Sequence, residues 1–246
     1  MTTVLALDAT SRACSAAVWR CAGNDVATAA LFARYEIAPR AHTQKLMPMV
    51  REALAEAGLS LADVDVIAYG RGPGAFTGIR IAAGMAQGLA LGCDVPMVAV
   101  SSLEALALTA ALASGVNQGA ALGVLDARMG DVYLGGYATN ITAPLFPQLH
   151  PLIPEQVCAP EALLWTSALP EQIAAAGAGL AFTSKYPQAL SDKITYADVD
   201  AEPDAASIAC LAAVAFLAGH AVAPELAQPV YLRDNVATRS TRKPLD

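Results

Sequence analysis

The sequence predicts an α/β protein of two lobes, each laid out as β-β-β-α-β-α. A buried strand, a sharp turn opening with Asp-Ala and a second strand of similar length occur twice, in "LALDATSRACSAAVW" from Leu5 and in "GVLDARMGDVYLGGY" from Gly123. The copies align Asp8 with Asp126, Ala9 with Ala127 and Trp19 with Tyr137. Strands precede helices in both halves, the order of a duplicated unit. A chain of 246 residues is long enough to give two such lobes real cores.

The elements follow in order. Residues 3–8, "TVLALD", read as a buried strand, with "CSAAVWRC" and "DVATAALFAR" as antiparallel neighbours joined by "AGND". In "HTQKLMPMVREALAEAG", residues 42–58, Leu46, Val50, Leu54 and Ala57 share one face at helical spacing. Thr43 is the expected N-cap there, Gly58 the C′ glycine, and Pro48 should bend or loosen the first turn. A strand over residues 64–70 feeds "GRGPGAFTGIRI", and a helix over Gly78–Leu91 should start from a Thr77 cap. "PMVAV" is a strand, and "SSLEALALTAALA" a helix capped by Ser101 or Ser102. In the second half "EALLWTSAL" (161–169) and Asp204–Gly219 read as helices, with "IAAAGAGLAF" as strand and turn between them. The expected organisation is an N-terminal lobe, 1–103, completed by the C-terminal helix 204–220, a smaller lobe, 104–203, and a flexible basic tail, 233–246.

Composition narrows the function classes. Hydrophobic residues make up 55% of the chain and mean hydropathy is +0.44. Even so, no stretch reaches the roughly 20 uninterrupted apolar residues of a membrane span. The longest candidate, "ASIACLAAVAFLAGHAV", is entered through Asp200, Glu202 and Asp204. The N-terminus shows no basic region and no cleavage pattern, so a soluble cytoplasmic protein is expected. Five scattered cysteines without a CxxC pair read as small reduced residues. A formal net charge of −7 makes the chain a poor nucleic-acid ligand on its own, the exception being the tail with Arg233, Arg239, Arg242 and Lys243.

The glycine-rich stretch 70–81 invites a phosphate-loop reading and fails it. Gly78 is followed by Ile79 and Arg80 where a P-loop needs Lys and a hydroxyl, and Thr77 stands where GxGxxG needs its last glycine. Downstream, Gly84, Gly88 and Gly92 recur every four residues among alanines. Interior helical glycines cost about 0.8–1.0 kcal/mol each, so three on one face imply a close approach. That approach is either packing within the lobe or docking of another chain.

Two facing lobes give the actin-like ATPase (ASKHA) architecture, in which both Asp turns flank a nucleotide cleft. Such turns need a glycine so that backbone N–H groups can approach phosphates, yet Thr10 and Arg128 occupy those positions. Asp8, Thr10, Asp126 and Arg128 are therefore candidates for a vestigial nucleotide site rather than a working ATPase, with a nucleotide bound in another pose left open. No two of the three histidines, His42, His150 and His220, lie within helical reach of each other, so a metal site is not expected, and no GxSxG elbow is present.

Together these residues resemble the TsaB family of tRNA threonylcarbamoyladenosine biosynthesis proteins. The resemblance rests on "LALDATSRACSAAV", "AHTQKLMPMV", "GRGPGAFTGIRI", "VAVSSLEALA", "LDARMGDVYLGGY" and "PVYLRDNVA", in family order over nearly the whole chain. It implies membership of the glycoprotease superfamily and a non-catalytic partner of the catalytic subunit TsaD, joined by the ATPase TsaE. TsaD transfers the threonylcarbamoyl group to the adenosine next to the anticodon, in tRNAs reading codons that start with A. TsaD's metal-binding His-x-x-x-His pair falls here on Ser102 and Leu106, which cannot replace two imidazoles. The resemblance further implies docking through the helices Gln44–Ala57 and Gly78–Leu91, with Leu46, Val50, Gly84, Gln87 and Gly88 as the face. It implies contact with tRNA only through the complex and no resident cofactor or metal, and it leaves room for ATP or ADP at the subunit junction. Without TsaD the same face could form a homodimer. The rival readings are a metallopeptidase and an actin-like small-molecule kinase or ATPase.

Overall fold

A computed structural model describes residues 1–23, 25–165 and 168–233, so the Arg239, Arg242 and Lys243 part of the expected tail lies outside the described residues. The first sheet contains β1 (Thr2–Asp8), β2 (Ala13–Ala22), β3 (Asp25–Ile37), β4 (Val66–Gly70) and β5 (Met97–Val100), in the order β3-β2-β1-β4-β5. The second contains β6 (Gln118–Arg128), β7 (Asp131–Asn140), β8 (Gln148–Cys158), β9 (Ile173–Ala176) and β10 (Ile194–Asp198), in the order β10-β9-β6-β7-β8. Both sheets place the first strand at the centre, antiparallel to the second and parallel to the fourth. That shared order is the duplication read from the Asp-Ala turns.

Helix α1 (His42–Ala57) joins β3 to β4, and α2 (Phe76–Cys93) joins β4 to β5. Two expected caps are wrong. The chain enters α1 from Ala41, whose carbonyl accepts the N–H groups of Gln44 and Lys45, so Thr43 already lies in the first turn. Helix α2 starts from Ala75 rather than Thr77, because the Ala75 N–H is held by the Thr10 carbonyl at 2.7 Å and fixes the turn there. Pro48 sits exposed inside an unbroken α1, which Gly58 ends in the left-handed conformation.

No α-helix covers the described residues of the expected helix 161–169, in which residues 166 and 167 lie outside the described ones. A 3-10 turn covers Pro160–Ala162, and Leu163 is extended. With Pro160 and Pro170 at its borders the segment is too short to nucleate a helix by itself, and Pro170 pushes the preceding residue away from helical angles. A second 3-10 run, Ala178–Lys185, and the short α4 (Gln188–Ser191) complete the smaller lobe between β9 and β10.

Two helices hold the lobes together. Helix α3 (Ser102–Ser114) follows the first sheet but packs on β6, β7 and β9 of the second. Helix α5 (Ala205–Leu217) follows the second sheet but packs on β1, β2, β4 and β5 of the first, and it also touches α3. Both are apolar around most of their circumference, as helices buried on several sides must be. Ser101 and Asp204 cap them through their side chains, Asp204 accepting the Ser207 N–H at 2.8 Å. The resulting core is shared: Val4, Trp19 and Val98 from the first sheet, Ala105 and Leu108 from α3, Tyr137 from the second sheet and Ile208 from α5 belong to one cluster. Trp19 is fully buried, and its indole N–H donates to the Leu145 carbonyl across the lobe boundary at 2.7 Å.

The packing of α3 on β6 depends on Gly123, where a Cβ would overlap the Leu103 carbonyl oxygen. Gly123→Ala is therefore expected to push α3 off the sheet at a cost of about 1–3 kcal/mol. Thermal unfolding should show a Tm lowered by several degrees.

Candidate functional site

The Asp8 turn is built from the chain's most buried polar groups. Asp8 ends β1 and is fully buried; its carboxyl accepts the Thr10 N–H at 3.2 Å and the Thr10 hydroxyl at 3.0 Å. The Ser102 hydroxyl, at the start of α3, donates to Thr10 Oγ at 3.1 Å. The glycine-rich stretch lies directly on this turn. A Cβ at Gly74 would overlap the Thr10 carbonyl oxygen, and one at Gly78 would overlap that of Ala9. These glycines let two backbones meet, so the stretch clamps the turn and does not wrap a phosphate.

Burial pushes the Asp8 carboxyl up to about 8, against the pull of its two Thr10 hydrogen bonds and with added repulsion from Asp204 and Glu202. Glu202 is itself buried and paired with the exposed Arg12 at 2.5 Å. At neutral pH Asp8 is a protonated structural acid.

The second turn is more open. Arg128 and Met129 adopt left-handed angles, φ 66° and 57°. Asp126 accepts the Arg128 N–H at 2.7 Å and its guanidinium at 3.1 Å. Between the turns lies a cleft of about 750 Å³. Thr10, Asp126 and Arg128 line it, whereas Asp8 is fully buried and outside the lining. The segment Val230–Arg233 runs along one side of the cleft, held by Val230 N–H to the Arg71 carbonyl at 2.8 Å and by the Arg233–Asp131 ion pair at 2.5 Å. Arg233, grouped with the flexible tail on sequence grounds, is thus tied to the second lobe.

The expected docking face divides in two. Gly84 and Gly88 are exposed, and nothing within the chain lies within 4 Å of a Cβ built on either, or on Gly92. Packing inside the lobe therefore does not explain the strip. Leu46 and Val50, by contrast, are fully buried against the first sheet with Leu5, Leu7 and Tyr69, so they support α1 and cannot line an outer face. Gln87 is half-buried, its amide donating to the carbonyls of Pro224 and Ala227 at 3.1 and 2.8 Å. It anchors the C-terminal segment to α2. The helical period identifies the apolar face of α1 but assigns it to the wrong neighbour, because the sheet takes that face first.

No cluster of three or more His, Cys, Asp or Glu positioned to hold a metal ion is found among the described residues. At the two positions compared with a metal-binding pair, the Ser102 hydroxyl is bonded to Thr10 and Leu106 is fully buried in an apolar cluster with Leu103 and Leu125. Sequence reading missed Phe76, Arg80 and Tyr231, which line the cleft mouth. Starting α2 at Gly78 left Phe76 outside the helix and hid its i, i+4 relation to Arg80.

Two sheets of one strand order, closing on a cleft between paired Asp turns, define an actin-like α/β chain. Comparison with known proteins narrows the class. A family model described as "TsaD: tRNA N6-adenosine threonylcarbamoyltransferase" matches residues 35–241. The Escherichia coli protein described as tRNA threonylcarbamoyladenosine biosynthesis protein TsaB is 38% identical over 238 residues, covering 95% of this chain and 96% of that protein. Its Haemophilus influenzae namesake is 37% identical over 239 residues, covering 95% and 94%. A crystal structure from Pseudomonas aeruginosa, of an uncharacterized protein with similarity to peptidase YEAZ, superimposes with a TM-score of 0.82 at 38% identity, over 95% of this chain and 100% of that one. The chain belongs to the TsaB family, within the glycoprotease superfamily.

The buried acid sets a pH dependence. An unfolded aspartate titrates at about 3.9, whereas folded Asp8 holds its proton up to about 8. Between those values the unfolded chain has lost a proton that the folded chain keeps, so this group's contribution to stability falls as pH rises from about 4 to about 8 and then levels. Asp8→Asn keeps the size and loses the titration. Thermal unfolding across that range is expected to show the Tm difference, variant minus wild type, shifting steadily in the variant's favour.

Proposed function

We propose that this chain is a non-catalytic scaffold and activator subunit of the tRNA threonylcarbamoyladenosine-forming complex. It pairs with catalytic TsaD and the ATPase TsaE for modification of the adenosine next to the anticodon, in tRNAs reading codons that start with A. The observation that carries this reading is full-length similarity to two proteins named for that biosynthesis. It is joined by the chemistry at Ser102 and Leu106, a bonded hydroxyl and a buried alkyl group that supply no imidazole. That donor set weighs against the metallopeptidase reading. The kinase or ATPase reading is weakened at the turns, where the Thr10 and Arg128 N–H groups are already bonded to Asp8 and Asp126. The complex would work in the cytoplasm, in keeping with the lack of any helix long and apolar enough to cross a membrane among the described residues.

The docking surface in this reading is the exposed strip Gly84–Gly88–Gly92 on α2. Gly→Ala exchanges on such a strip would favour the isolated helix, yet a smooth backbone ridge lets a partner helix approach closely. Without TsaD, a second copy of this chain could use the same strip through a two-fold contact.

Gly84→Leu and Gly88→Leu meet open space within the chain, so the variants are expected to fold with a Tm at or above wild type, helix propensity favouring Leu. Co-purification with TsaD is expected to fall at least tenfold. Undiminished recovery of TsaD with a folded variant would move the interface elsewhere, and failure of the wild-type chain to recover TsaD would overturn the functional reading itself.

A further inference from the structure

Three side chains at the mouth of the interlobe cleft form a stack at the start of α2, with Arg80 one turn before Gly84 of the docking strip. The Arg80 guanidinium carbon lies 3.4 Å from the centre of the Phe76 ring and 5.0 Å from that of Tyr231. The rings are 5.9 Å apart and tilted by 41°. Phe76 is 62% exposed and Tyr231 43% exposed, so the stack faces solvent. Arg80 has no carboxylate partner among the described residues; its guanidinium donates only to the Phe76 carbonyl, at 3.3 Å. Arg128, its side chain 86% exposed and paired with Asp126 at 3.1 Å, lines the same cleft from the second lobe.

Aromatic rings and guanidinium planes in water are platforms for nucleobases, and arginine is the natural partner of a phosphate. The cleft also restricts which phosphate it accepts. At the two Asp turns the N–H groups that would cradle a polyphosphate, those of Thr10 and Arg128, are taken by Asp8 and Asp126. Asp126 and Glu202 also line the cleft, paired with Arg128 and Arg12, so each of these arginines has one charge partly met before a phosphate arrives.

We propose that the cleft mouth binds a nucleotide unit carrying a single phosphate, its base stacked on the Arg80–Tyr231 platform and its phosphate held by Arg128. The same chemistry is offered by a free nucleoside monophosphate and by an unstacked residue of an RNA strand. The RNA source rests on the function proposed above, the monophosphate source does not. The net charge of −7 predicts modest affinity that falls with salt.

The test titrates the full chain at low salt with AMP, with ADP and with a fluorescein-labelled oligoadenylate. Wild type is expected to bind AMP or the oligoadenylate saturably. Tyr231→Ala and Arg80→Ala should each weaken binding about tenfold, the size of one lost stacking contact, and Arg128→Ala should weaken it and flatten its salt dependence. Both aromatic positions are exposed, and circular dichroism checks that the variants fold. Oligoadenylate binding well above AMP assigns the site to RNA, and equal binding assigns it to the free monophosphate. The proposal is overturned by absence of saturable binding to either probe, by binding indifferent to all three substitutions, or by ADP binding well above AMP. It is equally overturned if the stack proves to be covered by a protein partner while nucleotides are ignored. TsaD recovery on the glycine-strip variants is read separately, so either reading can fail while the other stands.

Discussion

The distance at which two helices can lie between two sheets sets the rest of this structure. Helices α3 and α5 each cover the sheet of the other half, and both must fit into one shared core with Trp19 and Tyr137. Alanine at 105, 107, 110 and 111 of α3 and at 209, 212 and 213 of α5 makes that possible, because a methyl group lets helix and sheet backbones close while still excluding water. Gly123 takes the same logic to its limit beneath Leu103. The high alanine content that raises the chain's hydropathy is therefore a packing device.

The same closeness shapes the cleft. Ser102 opens α3 and reaches Thr10 of the first lobe, while Arg71, just after β4, pairs with Glu155 on β8 at 2.8 Å. Tyr137 donates its hydroxyl to the same Glu155 carboxylate at 3.0 Å. Glu104 stands in this neighbourhood, its carboxyl raised to about 7 by burial against the opposing pull of Arg71. The lobes thus meet through these polar contacts as well as through the shared apolar core.

Most of the architecture was legible because it follows from local periodicity. The short apolar runs of the buried strands, the Gly58 stop, the Ser101 and Asp204 caps and the repeated Asp-Ala turn are all short-range signals. The errors came where a distant contact decides. Ala75 starts α2 because Thr10, 65 positions earlier in the chain, holds its N–H. Leu46 and Val50 show a correct helical face with nothing to say that the sheet covers it. In the site, Thr10, Asp126 and Arg128 were identifiable from the repeat, whereas Asp8 was placed in the cleft because a sequence does not reveal that a carboxylate is sealed under its own turn. In the stack, the i, i+4 pair Phe76 and Arg80 was hidden by the misplaced start of α2, and Tyr231, more than 150 positions away, left no pattern to read.

The exchange of α3 and α5 between the sheets also governs how the protein emerges from the ribosome. The apolar face of the central strands β1 and β4 is finished only by α5, the last long helix of the described chain. During synthesis that face waits uncovered while the whole second lobe is made. The first half is an unfinished surface until α5 has been made, and its protection in that interval falls to whatever holds nascent chains. A nick or truncation before residue 205 would leave the first sheet without its cover, and the damage would appear in the half of the molecule that was not cut.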